Sequence, residues 1–63
     1  MTKKHFERFA KMFREQMTFA NDDTLNVILE TIEETAAIFA DANPRFDKVR
    51  FYNACGAAEY LTD

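Results

Sequence analysis

The chain has 63 residues, of which 48% are hydrophobic and 30% charged, and its formal net charge is −3 at pH 7. A chain of this length has room for one small domain and buries only about 60% of the surface that its unfolded form exposes. It contains one cysteine, one histidine and one glycine, which excludes an internal disulfide, a zinc site of ordinary ligand spacing and a glycine-rich phosphate loop.

The first predicted helix runs from a cap at Thr2 to about Ala20. Its apolar side chains recur at three- and four-residue intervals, which is the spacing of one helical face. Met12 and Phe19 lie on roughly the opposite side of this helix. The side chains expected on its buried face are Phe6, Phe9, Ala10, Phe13, Met17 and Ala20.

A second helix is predicted after residues 21–24, whose polar side chains can cap a helix start, and it extends to about Ala42. Pro44 disfavours helical backbone at the preceding residue, so the helix should stop near Asn43. Val27 and Ile38 lie off its main apolar stripe. That stripe consists of Leu25, Ile28, Leu29, Ile32, Ala36 and Phe39, with Thr35 and Ala40 on its flanks.

A short third helix is predicted between Asp47 and Gly56. Asp47 is a favourable N-cap, and Gly56 suits the left-handed conformation that commonly ends a helix. Phe46, just before the cap, can pack on Phe51 in the arrangement known as the hydrophobic staple. This helix should therefore be fixed at both ends by local contacts.

After Gly56, a last helical turn is expected to fold Tyr60 and Leu61 back onto the core, and the alternative is that this segment frays. Two long helices joined by about four residues should lie antiparallel, with the third helix closing the open side of the pair. The predicted fold is therefore all-α. It is a small three-helix bundle, with two long antiparallel helices and a short third helix, in one helical domain over residues 1–63.

Charge is sorted by segment along the chain. Residues 1–14 carry five Lys or Arg and one Glu, residues 15–44 carry seven acidic side chains and no basic one, and the remainder sums to zero. Opposite charges on neighbouring helices favour their pairing, each exposed pair contributing about 0–1 kcal/mol. The other interpretation is a negative face directed at a basic partner. The candidate residues of this face are Glu30, Glu33, Glu34 and Asp41.

The two long helices also carry apolar side chains outside their buried stripes, namely Met12, Phe19, Val27 and Ile38. The third helix and the tail could cover them within one chain. Alternatively they form a protein-binding patch, for a second copy in a homodimer or for another protein, because large exposed apolar patches are uncommon on monomers.

No enzymatic chemistry, cofactor or metal is predicted. His5 is expected to be a solvated surface residue, and Cys55 a small buried packing residue without a neighbouring base to activate it. A carboxylate-rich helix face supplies too few converging oxygens for a calcium or magnesium cage. No apolar run reaches the roughly 18 residues that span a bilayer, so we expect neither membrane insertion nor secretion, and a reducing cytoplasmic setting.

Direct nucleic-acid binding is disfavoured, because the acidic second helix would repel phosphate. The second and third helices with their joint nevertheless resemble a helix-turn-helix in outline. A small nucleic-acid-binding regulator is therefore one alternative, and a self-assembling structural module is another. The regulator would use Lys3, Lys4, Arg8, Lys11, Arg45, Lys48 and Arg50.

The segment NPRFDKVRFYNACG, residues 43–56, resembles the closing segment of many short phage and prophage proteins that read NPRFD-x-x-RF-x-x-ACG. Those proteins have no assigned activity, so the resemblance implies a phage or mobile-element origin and no catalytic residue. In size and charge the chain is also similar to phage anti-defence inhibitors of the anti-CRISPR or anti-restriction type. That similarity implies a host protein as partner, such as a nuclease or CRISPR effector, in the bacterial cytoplasm.

Overall fold

The computed structural model describes residues 3–61, with side chains from residue 4 onward. It contains three helices, α1 (Lys3–Phe19), α2 (Asp22–Ala42) and α3 (Lys48–Cys55), and residues 3–61 include no strand. The predicted all-α class with three helices is confirmed. The cap expected at Thr2 lies outside the described residues.

The joint between α1 and α2 is shorter than the sequence suggested, since only Ala20 and Asn21 separate the two helices. Asn21 Oδ1 accepts a hydrogen bond from the Thr24 backbone N–H at 2.9 Å, and Thr24 Oγ1 accepts one from the Asn21 N–H at 2.9 Å. This reciprocal capping box draws residues 22–24 into the first turn of α2. Asp22 and Asp23 then lie at the positive end of the helix dipole.

Both ends of α3 agree with the prediction. Asp47 Oδ1 accepts from the Arg50 backbone N–H at 3.1 Å. Gly56 has φ 76°, its N–H donates to the Asn53 carbonyl at 3.1 Å, and the next N–H, of Ala57, donates to the Tyr52 carbonyl at 2.9 Å. These two bonds make up the Schellman motif, which satisfies the last carbonyls of the helix.

The core is centred on the ring of Phe39, in the last turns of α2. Its centroid lies 4.7 Å from that of Phe6, 5.4 Å from Phe9 and Phe46, and 5.6 Å from Phe51. Phe46 and Phe51 also meet at 5.5 Å, which confirms the predicted staple contact. One aromatic cluster therefore joins α1, α2, α3 and the joint before α3.

The buried positions follow the predicted stripes closely. The fully buried side chains are Ala10, Phe13, Ile32, Ala36, Phe39, Phe51, Tyr52, Cys55 and Ala57. Two expectations were wrong. Phe9 is 39% exposed because it lies about 60° from the centre of the buried face. In the tail Leu61 packs on the core, but Tyr60 is half exposed, because consecutive residues of the turn after Ala57 point in different directions.

Candidate protein-binding surface

The acidic candidates occupy one outward side of α2. Glu30, Glu33, Glu34 and Asp41 are all exposed. Helix geometry places them within an arc of about 100°, on the side opposite Ile32. Ile32 itself is buried in the core. We refer to these four carboxylates as the acidic face.

No cation on the same helix neutralises the acidic face, because residues 15–44 contain neither Lys nor Arg. On α1 the basic side chains Lys4, Arg8 and Lys11 are also exposed, and helix geometry directs them away from the buried Phe13. Both charged faces therefore point outward, and neither lies between the two helices. This favours the interpretation in which the acidic face is available to a partner.

The apolar side chains outside the buried stripes are exposed. Phe19 is 88% exposed, Ile38 64%, Val27 62% and Met12 41%. Cover by α3 and the tail, one of the two alternatives drawn from the sequence, therefore does not occur in the described part of the chain. These residues are accessible for binding.

The exposed apolar residues of α1 and α2 lie on the side of the pair that α3 leaves open. An open groove lies on this side, and no residue of α3 contributes to it. Its lining residues are Met12, Glu15, Gln16, Phe19, Ala20, Thr24 and Ile28. A different groove, which includes Met17, Leu25 and Cys55, borders the side on which α3 packs. We define the apolar strip as Phe9, Met12, Phe19, Val27 and Ile38.

Phe9 is the member of this strip that sequence reasoning missed. It sits at the edge of the buried face, so its ring contacts Phe39 while part of it remains accessible. Its angular position, between Phe6 and Met12 on the helix, was the available signal. The strip is therefore continuous with the aromatic core along α1.

Residues 43–56 form the connection from α2 to α3, the whole of α3 and most of the lining of a separate groove. Arg45 and Arg50 line this groove together with Glu7 and Asp47, so its rim carries both signs of charge. Two residues of the segment also act locally, Asp47 as N-cap and Gly56 as C-cap. The groove therefore does not single out one ligand chemistry.

Cys55 has the environment of a packing residue. Its side chain is fully buried, and this burial raises the pKa of the thiol to about 12. The thiol is therefore protonated at neutral pH and is not a nucleophile. His5 is exposed on α1. Among residues 3–61, no three His, Cys, Asp or Glu side chains converge in a way that could hold a metal ion.

No protein-family model, curated protein or solved structure matches the chain. None of the helices within residues 3–61 combines the length and the apolarity required to cross a bilayer. The acidic face and the apolar strip are the two features of the described surface that point to a binding function.

Proposed function

We propose that the protein acts without catalysis, by binding a protein that has a basic surface through the acidic face of α2. The observation that carries this proposal is the grouping of four exposed carboxylates on a helix that has no Lys or Arg. Such a face attracts a surface lined with Lys and Arg over long range and accelerates the encounter. In a monomer, Val27 and Ile38, which are exposed beside the acidic face, can supply apolar contact area.

The partner class in this proposal is a host protein that handles nucleic acid, such as a nuclease or a CRISPR effector. These proteins bind phosphate with clustered Lys and Arg, and carboxylates on a rigid helix present the same sign of charge. The protein would act as a stoichiometric inhibitor in the bacterial cytoplasm. The resemblance of residues 43–56 to phage proteins supports a mobile-element origin.

The proposal also takes α1 and α2 as an antiparallel pair within one domain. Phe6, near the start of α1, contacts Phe39, near the end of α2, at 4.7 Å between ring centroids. At the other end of the pair, Phe19 and Thr24 line the same groove. These contacts support a rigid two-helix platform for the acidic face.

The test is affinity capture from bacterial lysate with the tagged full chain. We expect the wild type to recover a nucleic-acid-handling enzyme in equal proportion, and Glu30→Lys/Glu33→Lys to lose it. Glu59→Lys is the control, because Glu59 is an exposed carboxylate outside α2. Recovery of the same enzyme by all three proteins, or of none by the wild type, would contradict the proposal.

A second candidate function is nucleic-acid binding, favoured by the exposed basic side of α1. Lys4, Arg8 and Lys11 are accessible there, as are Arg45, Lys48 and Arg50 near the start of α3. An electrophoretic shift that weakens steeply with salt would support this function. No shift at low salt would eliminate it.

A further inference from the structure

We infer that a second copy of this chain covers the apolar strip, in a symmetric dimer in which α1 of each copy lies against α2 of the other. This inference goes beyond the proposed function and does not rest on it. It follows from how apolar and charged residues are arranged on the side of the α1–α2 pair that α3 leaves open.

The residues of the apolar strip lie together on one side of the molecule. Scattered exposed apolar residues are normal on a monomer, whereas apolar residues grouped on one side mark an interaction surface. Phe19 is 88% exposed and Val27 62%, and the groove that Phe19 lines is formed by residues of α1, α2 and the joint between them. The strip therefore has the composition of the centre of an interface.

The two long edges of the strip carry opposite charges. On α1, helix geometry places Lys4, Arg8 and Lys11 next to Met12 and Phe19, on the side away from α2, together with one carboxylate, Glu15. On α2, Glu34 and Asp41 lie beside Val27 and Ile38, on the side away from α1. All six charged side chains are exposed. The surface thus has an apolar centre, one edge with a net positive charge and one negative edge.

This charge pattern distinguishes the two ways in which a two-fold axis can place the surface on a second copy. An axis perpendicular to the helices would set α1 against α1 and α2 against α2, so that like charges would face each other. An axis parallel to the helices sets α1 against α2 of the partner subunit, and each positive edge then meets a negative one. Electrostatic complementarity selects the parallel axis.

The contacts within one copy fix which residues lie at the same level. Phe6 and Phe9 lie level with Phe39, and Phe19 lies level with the start of α2. A parallel two-fold axis preserves these levels across the interface. Lys11 therefore faces Glu34 of the partner subunit. Phe19 likewise faces Val27 of the partner subunit.

The available area is sufficient for a stable dimer. Two helices of 17 and 21 residues present a side of roughly 20 × 30 Å. That projected area of about 600 Å² lies at the lower end of the roughly 600–1,000 Å² that each partner buries in a specific interface. Glu30 and Glu33 lie farther round α2 from the strip, so the dimer would still present these two of the four carboxylates of the acidic face on each of its outer sides.

The first test is sedimentation equilibrium of the full chain from micromolar to millimolar concentration. We expect a monomer–dimer equilibrium that Phe19→Ser weakens at least about ten-fold, since the substitution removes an apolar contact twice per dimer. Val49→Ser is the matched control, because Val49 is 54% exposed but lies on α3. Circular dichroism checks that both variants keep their helices, as exposed positions should allow.

The second test identifies the axis through charge reversal. Lys11→Glu and Glu34→Lys should each weaken dimerisation about ten-fold by turning two attractive pairs into repulsive ones, and the double variant should restore it. With the perpendicular axis, each single reversal would place the new charge against the oppositely charged residues that remain on the same edge of the partner subunit, so neither would weaken dimerisation. A strict monomer at every concentration would overturn the inference and assign the strip to a different protein. A dimer insensitive to Phe19→Ser or to both single reversals would overturn it as well.

Discussion

At the residue scale, Gly56 is where backbone conformation alone determines which side chain is accepted. Its φ of 76° lies in the left-handed region, and a Cβ at this position would meet Arg14 Cγ at 3.7 Å, an ordinary van der Waals distance. We therefore expect Gly56→Ala to lower the free energy of unfolding by about 1 kcal/mol through backbone strain. Urea denaturation measures this effect.

The matched control for that experiment is Gly56→Asn, because asparagine tolerates the left-handed conformation better than alanine does. Gly56→Asn should lower the free energy of unfolding by less than Gly56→Ala does, although the asparagine side chain is larger. A larger cost for asparagine would show that space beside Arg14, and not backbone strain, limits this position.

Because the thiol of Cys55 is buried, the free energy of unfolding should fall as the pH becomes alkaline. Its pKa is raised from 9.0 to about 12 in the folded chain, so the unfolded chain loses its proton first. The stabilisation is complete below pH 9.0 and is lost progressively as the pH rises from 9.0 towards 12.

Urea denaturation across that pH range, on the wild type and on Cys55→Ala, checks this account. The two chains differ in no other titratable group, so the difference between their free energies of unfolding isolates the thiol. We expect the wild type to lose more stability than the variant on going from neutral to alkaline pH. Identical pH dependence would mean that the thiol ionises equally well in the folded and unfolded chains.

For single residues, the sequence predicted the structure best where the role of a side chain depends only on its neighbours along the chain. Asp47, Gly56 and Cys55 were all assigned correctly, as N-cap, C-cap and buried packing residue. Tyr60 was not, because its position depends on how a turn beyond the last helix meets the core. The spacing of apolar residues in the sequence does not predict how that turn packs against the core.

At the scale of elements, the start of α2 depends on the capping box of Asn21 and Thr24. Asn21→Ala removes the side-chain acceptor for the Thr24 N–H, and we expect it to lower the free energy of unfolding by about 1 kcal/mol. Asn26→Ala is the control, since Asn26 is exposed within α2 and alanine is a better helix former. Thermal unfolding of the two variants should separate them. Equal midpoints would mean that the capping box does not stabilise the fold.

The periodicity of apolar residues was sufficient to predict three helices and most of the buried positions. The boundary between α1 and α2 was less predictable, because Asp and Thr are favourable both before a helix and in its first turn. The reciprocal hydrogen bonds between Asn21 and Thr24 place residues 22–24 inside the first turn of α2. These bonds form only when the chain has folded into that turn.

At the scale of the whole molecule, exposure of the apolar strip depends on where α3 packs. α3 contacts α1 more extensively than it contacts α2. The sequence showed that Met12, Phe19, Val27 and Ile38 lie off the buried stripes, but it left open whether α3 would cover them. The position of α3 is set by tertiary contacts in the aromatic cluster around Phe39.

The accessibility of the acidic face also depends on how the helices pack. Its four carboxylates could be placed on one side of α2 from spacing alone, whereas their separation from the basic side of α1 follows from how the two helices pack. Because both charged sides point outward, the molecule presents opposite charges on different surfaces. This distribution is the basis of both the partner-binding proposal and the dimer.

The measurement that tests the central claim most directly is the association rate with the captured partner, recorded over a range of salt concentrations. Exposed charges are screened beyond about 10 Å at 0.1 M salt. The rate for the wild type should therefore fall as salt is added. Glu30→Lys/Glu33→Lys should associate more slowly at low salt and approach the wild type at high salt. Equal rates with equal salt dependence for the two proteins would show that the acidic face of α2 does not bind the partner.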